Sequence, residues 1–318
     1  MGLDTILILT ALAFAWSMGA HYTGACMGMP YATGSIRLRP ALGLMAAMTL
    51  IGAVGLSRHV LVHVGHGIVI GRLTAGAALI VIGIAFLLTT LFTRLKIPTS
   101  TIQILIFALV GMAMASGLGV AWRTIAHLAL LWVLAPFIAA AAGYGLTRLF
   151  DRFSLFAHAD HAARVGQALV AAGAIASLSM GANDVSNATA VLLGVHLTGP
   201  LLAGAIGGVG LAAGVLSWGR PLLQRVAFDI VRMDRTMATA AQFVQALVVL
   251  IAVSFGYFTS MNQALIGAMA GTGLARGRRT IEATVLFGIV RGWVIGPGAA
   301  FILAYGVTRL ETIIRGAT

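Results

Sequence analysis

The stretch Gly181-Ala182-Asn183-Asp184-Val185-Ser186-Asn187-Ala188-Thr189 sets a carboxylate, two amides and two hydroxyls at the end of a long apolar run. An ionisable group at membrane depth is costly and marks an ion or substrate path. If Gly181 ends one helix and Asn183 or Asp184 caps the next, backbone N–H groups and the positive end of a helix dipole face a cavity, which makes an anion site. Asp184 itself would repel an anion and suits a cation or a proton. A second constellation occurs twice, as Pro98-Thr99-Ser100-Thr101-Ile102-Gln103 and as Phe258-Thr259-Ser260-Met261-Asn262-Gln263. Hydroxyls directly ahead of an apolar helix can donate, together with the helix N-terminal N–H groups, to a tetrahedral oxyanion without a buried Lys or Arg. Ordinary N-capping would account for one copy alone; the duplication argues for more.

The elements that must hold these residues are membrane helices. The chain has 318 residues, 60% hydrophobic and 9% charged, where soluble domains carry roughly 25% charged residues. That excludes a soluble enzyme or nucleic-acid binder. The net charge of +12 comes from Arg residues that punctuate the ends of apolar runs, where they set topology and meet anionic headgroups. At about 20 residues per span, the chain holds ten to twelve membrane segments, so the expected fold is an all-α polytopic membrane protein. Apolar segments fall near 4–20, 41–56, 73–93, 102–120 and 126–147, then near 165–181, 199–217, 237–257, 262–275 and 283–307. The single cysteine, Cys26, excludes an intramolecular disulfide. The N-terminus lacks a basic n-region, so the first run is expected to stay as a span.

Residues 1–147 and 165–318 read as two copies joined by a polar linker, 148–164. Trp132-Val133, Pro136, Tyr144-Gly145 and Thr147-Arg148-Leu149 recur, at one constant offset, as Trp293-Val294, Pro297, Tyr305-Gly306 and Thr308-Arg309-Leu310. Ser17-Met18-Gly19-Ala20 recurs as Ser179-Met180-Gly181-Ala182. Duplicated membrane halves with interrupted hydrophobic segments at matching positions point to a secondary transporter. Such breaks (21–35, 183–196, and the two Thr-Ser segments) are tolerated only where protein or a water-filled cavity surrounds them.

These motifs resemble the PiT inorganic phosphate transporter family. Gly181 to Ala188 is similar to its GANDVxNA signature, Pro98-Thr99-Ser100-Thr101 to its PVST motif, and Gly271-Thr272-Gly273-Leu274-Ala275-Arg276-Gly277 to the segment after the second such motif. Trp132 to Pro136 and Trp293 to Pro297 resemble its W-x-x-x-P element. The resemblance implies two inverted repeats with re-entrant or broken helices, an inorganic oxyanion bound between them, and uptake driven by sodium or protons without other cofactor or metal. It assigns Ser100, Thr101 and Ser260 to the anion, and Asn183, Asp184 and Asn187 to the coupling ion and the frame of the site; by position Gln103, Asn262 and Gln263, with Asn183 and Asn187, are further candidates for the substrate, and His21 and Tyr22, with Asp184 and Asn183, for the coupling ion. Its partners are then phosphate, sulfate or a related anion and the lipid bilayer, with no nucleic acid; a homodimer in the cytoplasmic membrane of a prokaryote is the expected setting. The departures are specific. His21 and Tyr22 stand in Gly19-Ala20-His21-Tyr22 where the family has Asn and Asp, leaving one carboxylate for two. Gln103 and Gln263 replace its His, and Phe258-Thr259 its second Pro-Val.

Rival readings rest on other residues. His59, His63 and His66 fall on one helix face and could bind a metal or haem in a membrane oxidoreductase, although Arg58 suggests a helix end at the water interface. His158, Asp160 and His161 read as solvated linker residues. The stretch from Arg220 to Arg235, with Arg225, Asp229, Arg232 and Asp234, reads as an amphipathic interfacial helix or loop. A purely structural membrane scaffold would tolerate replacement of Asp184.

Overall fold

With 60% hydrophobic residues in an environment that cannot hydrogen-bond a bare backbone, the chain satisfies its peptide groups within helices. The computed structural model describes residues 2–153, 162–227, 233–277, 280 and 283–316, apart from the side chains of 63–66, 162, 283–285 and 315–316. His63 and His66 (as side chains), His158, Asp160, His161, Asp229 and Arg232 lie outside the described residues. The first half contains α1 (Leu3–His21), α2 (Thr23–Ala32), α3 (Leu38–Gly55), α4 (Arg58–His66), α5 (Ala75–Arg94), α6 (Thr101–Ala115) and α7 (Trp122–Arg152). The second contains α8 (Ala162–Gly194), α9 (Pro200–Trp218), the short α10 (Arg220–Arg225), α11 (Arg235–Ser254), α12 (Met261–Ala275) and α13 (Ala283–Gly316). Helices α7 and α8 take up both ends of the expected linker, and within the stretch from Arg220 to Arg235 the described residues form the short helix α10 and the first residue of α11.

Two helix pairs enter the bundle and turn back. Val69–Ile70 (β1), just before α5, pairs antiparallel with Gly119–Val120 (β2), just after α6. The start of α5 and the end of α6 therefore lie at the same end of the bundle. In the second pair, Arg276, which follows α12, donates to Asp234, the N-cap of α11, and to Asp151 at the end of α7, at 2.5 and 3.1 Å. This hairpin returns to its own end too. Helices α6 and α12 have 15 residues each, about 22 Å long against a hydrocarbon core of about 30 Å. Among the described residues eight helices are long and apolar enough to cross a membrane, α5 and α11 of the hairpins included, and α6 and α12 are their shorter partners. At the hairpin tips the chain needs a left-handed residue. Gly256 (φ 75°) supplies it in one, and Lys96 (φ 56°) in the other, where a side chain makes that conformation less favourable.

The short helix of each hairpin packs on the last helix of the other half, α6 on α13 and α12 on α7; α1 packs on α9 as α8 does on α3. Helix α2 ends at a cavity, shared with Gly34 and Ser35, where α8 begins at Ala163 and Gly166. The α1–α2 pair and its sequence counterpart α8 therefore run in opposite directions.

Candidate functional site

The tips of the two hairpins meet in the interior. Pro98 keeps α5 from running on into α6, since the residue before a proline avoids helical angles and proline lacks an N–H. Ser100 and Ser260, both extended, are the N-caps of α6 and α12. Ser260 Oγ accepts from Gln263 N at 3.4 Å, whereas Ser100 makes no such bond. Ser100, Thr101, Gln103, Ser260, Asn262 and Gln263 are all buried. The two halves are tied here: Asn262 Nδ2 donates to the Thr99 carbonyl at 2.7 Å.

Each tip is clamped by a side chain from the long helix beside it. Asn183 Nδ2 donates to the Thr259 carbonyl at 3.0 Å, and Thr259 N donates back to Asn183 Oδ1 at 3.2 Å. His21 does the equivalent work in the first half, where Thr99 N donates to His21 Nε2 at 3.1 Å. The hydroxyl of Thr93 gives its proton to the Thr89 carbonyl at 2.7 Å and so accepts from His21 Nδ1 at 2.9 Å. The imidazole is thereby set as the neutral tautomer with its proton on Nδ1. Both ring nitrogens are occupied, and His21 acts on the backbone of Thr99. His21→Asn should therefore keep uptake within about three-fold, because Asn183 performs the same bond with an amide. His21→Leu strands a buried N–H at about 1–3 kcal/mol and should lower uptake about ten-fold or more; proteoliposome rates separate the two.

Between the clamps lies Asp184. Asn187 Nδ2 donates to Asp184 Oδ1 at 3.1 Å and to Thr101 Oγ1 at 3.0 Å, and the Tyr22 hydroxyl bonds the same Thr101 Oγ1 at 2.8 Å. Thr101 thus links the carboxylate of one half to the phenol of the other. Seven buried polar atoms around this point have no protein partner: Thr99 Oγ1, Ser100 Oγ, Gln103 Oε1, Asp184 Oδ2, Asn187 Oδ1, Thr259 Oγ1 and Gln263 Oε1. Each would cost about 1–3 kcal/mol if left unpaired. They sort by chemistry. Asp184 Oδ2 and Asn187 Oδ1 only accept, which suits a small cation or a proton. The hydroxyls of Thr99, Ser100 and Thr259, with the N-termini of α6 and α12, suit an oxyanion.

One expectation is corrected. Gly181, Asn183 and Asp184 do not divide two helices, since α8 is continuous from Ala162 to Gly194. The polar side chains find partners on the neighbouring hairpin, so the backbone keeps its own ladder and no free N–H groups appear at Gly181. The helix N-termini that face the centre belong to α6 and α12. In the first half the chain does break, at Tyr22, between α1 and α2. Thr93 escaped the sequence reading, although Thr89 and Thr93 at i and i+4 in an apolar helix were a visible signal.

Two hairpins that enter from opposite ends and meet at a buried polar centre, crossed by long membrane helices, define an integral membrane carrier. The chain belongs to the phosphate transporter family, whose model matches residues 18–165 and again 156–304; that membership sets it among transporters rather than enzymes. It is 28% identical over 309 residues to the sulfate permease CysP of Bacillus subtilis, covering 94% of this chain and 85% of that protein. A putative phosphate permease of Methanocaldococcus jannaschii is 26% identical over 293 residues, covering 92% and 93%. The solved structure of a sodium-dependent phosphate transporter superposes with a TM-score of 0.91 over 99% of this chain and 100% of that one, at 21% identity, which shows a shared fold.

Proposed function

We propose that this chain moves an inorganic oxyanion, phosphate first among them, across the cytoplasmic membrane of a prokaryote, coupled to a cation or proton at Asp184. The observation that carries the reading is the pairing of two helix N-termini, with partnerless hydroxyls, beside one buried carboxylate. Ser100, Ser260, Thr99 and Thr259 hold the anion, Gln103 and Gln263 offer acceptors to its hydrogens, and Asp184 with Asn187 takes the coupling ion. Residues 1–147 and 165–318 act as the two repeats, each lending its hairpin to the common centre. Sulfate is the second reading, favoured by the likeness to a sulfate permease.

The test is uptake of labelled phosphate and sulfate into proteoliposomes, with and without sodium and a pH gradient. Hard cations prefer several oxygen ligands with charge among them. Since Tyr22 stands opposite Asp184 where a second carboxylate could have stood, uptake should respond to the pH gradient more than to sodium. A steep sodium requirement without any response to pH would contradict this coupling.

A further inference from the structure

The packed interface of α2, α8 and α11 holds a polar pair that the first half lacks. Gln242 and Gln245 lie on one face of α11, both fully buried. Gln242 Nε2 donates to the Ala25 carbonyl at 3.0 Å and to Gln245 Oε1 at 2.6 Å. These bonds set which end of each amide is which, and they leave Gln242 Oε1 and Gln245 Nε2 without a partner. In the register that aligns Ser100 with Ser260, α5 carries Ile82 and Ala85 at these positions, also buried. Apolar residues therefore suffice to pack such a face. Two stranded amide groups cost more than packing alone calls for.

The pair sits on a line between a cavity and the central site. A cavity of about 540 Å³ opens where α8 and α11 begin, lined by Ser35, Leu44, Gln167, Ala174 and Arg235 among others. Arg235, the one charged residue among the described residues lining it, donates to the Thr33 carbonyl from Nε at 3.2 Å and Nη2 at 3.0 Å. Gln242 and Gln245 lie about 10 and 15 Å further along α11 at the helical rise of 1.5 Å per residue. Ser179 Oγ, bonded to the Ala246 carbonyl at 3.1 Å, sets α8 against α11 so that the pair falls between Ala174 and Asp184.

We propose that Gln242 and Gln245 form a second station for the transported oxyanion in a hydrogen-bearing form, between the Arg235 cavity and the centre. The proposal rests on the carrier reading above. One partnerless donor beside one partnerless acceptor matches a group that both accepts and donates, as hydrogen phosphate does. Sulfate near neutral pH only accepts; it satisfies Gln245 Nε2 and sets an anionic oxygen against Gln242 Oε1. A site with a committed acceptor rejects ligands that lack the hydrogen, and a bare cation would meet the Gln245 N–H groups.

The experiment is phosphate uptake by the full chain in proteoliposomes, with sulfate as competitor, for the unaltered protein, Gln242→Met and Gln245→Met. Gln245→Met removes a donor that serves both anions and should raise the phosphate KM and the half-inhibiting sulfate concentration together, each about ten-fold. Gln242→Met should raise the phosphate KM about ten-fold while sulfate inhibits at equal or lower concentration. Unchanged kinetics in both variants overturns the station, as does a Gln242→Met that slows uptake with its phosphate-over-sulfate preference intact. Thermal unfolding with and without phosphate keeps folding apart from transport, and Gln242→Glu, isosteric but negative, should raise the phosphate KM even where Met disturbs packing. An unaltered protein that takes up neither phosphate nor sulfate sinks the carrier reading as well, whereas uptake of sulfate alone, or active variants indistinguishable from an active parent, sinks the station alone.

Discussion

Asp184→Asn is expected to leave the protein folded and to cut driven uptake roughly 10- to 100-fold. The substitution keeps the side-chain volume, and an amide oxygen at Oδ1 can still accept from Asn187 Nδ2, which now donates at 3.1 Å. What it changes is Oδ2, a buried acceptor without a protein partner, which becomes an N–H₂ with no charge. A cation or proton held there loses a charged ligand. Bonds to charged groups contribute about 1.5–3 kcal/mol, so the rate should fall about 10- to 100-fold. Initial rates in proteoliposomes, beside thermal unfolding of the purified variant, decide it. Uptake at the unaltered rate would remove Asp184 from coupling.

The second large effect is expected away from the polar centre. Helix α12 approaches α7 so closely that a Cβ placed on Gly271 would stand 1.9 Å from the Ala140 carbonyl oxygen, and one on Gly267 2.1 Å from that of Pro136. Backbone cannot yield as a flexible side chain does, so the helices must part. Small residues at such crossings are what let membrane helices meet. Because α12 begins at the Ser260 cap, displacing it moves the site. Gly271→Val should destabilise the chain by about 1–3 kcal/mol or more, lower its Tm and reduce uptake at least about ten-fold. Gly306→Ala, with nothing within 4 Å of its added carbon, is the matched control and should be silent. Equal Tm and rate for the two variants would show that the α7–α12 contact does not position the site.

Much of the polar centre was legible because membrane chains punish idle polarity. Asn183, Asp184 and Asn187, and the Thr-Ser pairs ahead of α6 and α12, stand out against an apolar background, and all are buried in the interior. Their mechanics were less legible. A helix break at Gly181 looked natural from Gly, Asn and Asp, residues that favour caps and turns. The partner that overrides this preference, the Thr259 backbone, lies far along the chain. His21 stands in a motif that had lost its Asn; its bonds to Thr93 and Thr99 hold the first hairpin tip as Asn183 holds Thr259 in the second.

The sequence by itself determined the solvent, the helical class and the presence of the two Thr-Ser caps, since hydropathy, charge placement and cap chemistry are local properties of residue type and spacing. Only the tertiary structure decided which helices turn back, because α5 and α11, at 20 residues each, are long enough to cross. Their return is fixed by contacts between distant segments, Val69 with Val120 and Arg276 with Asp234. The same holds for the polar pair on α11. Gln242 and Gln245 are two amides on a helix until Ala25 of α2 fixes one of them, and an amide has no fixed donor or acceptor face until a neighbour takes one.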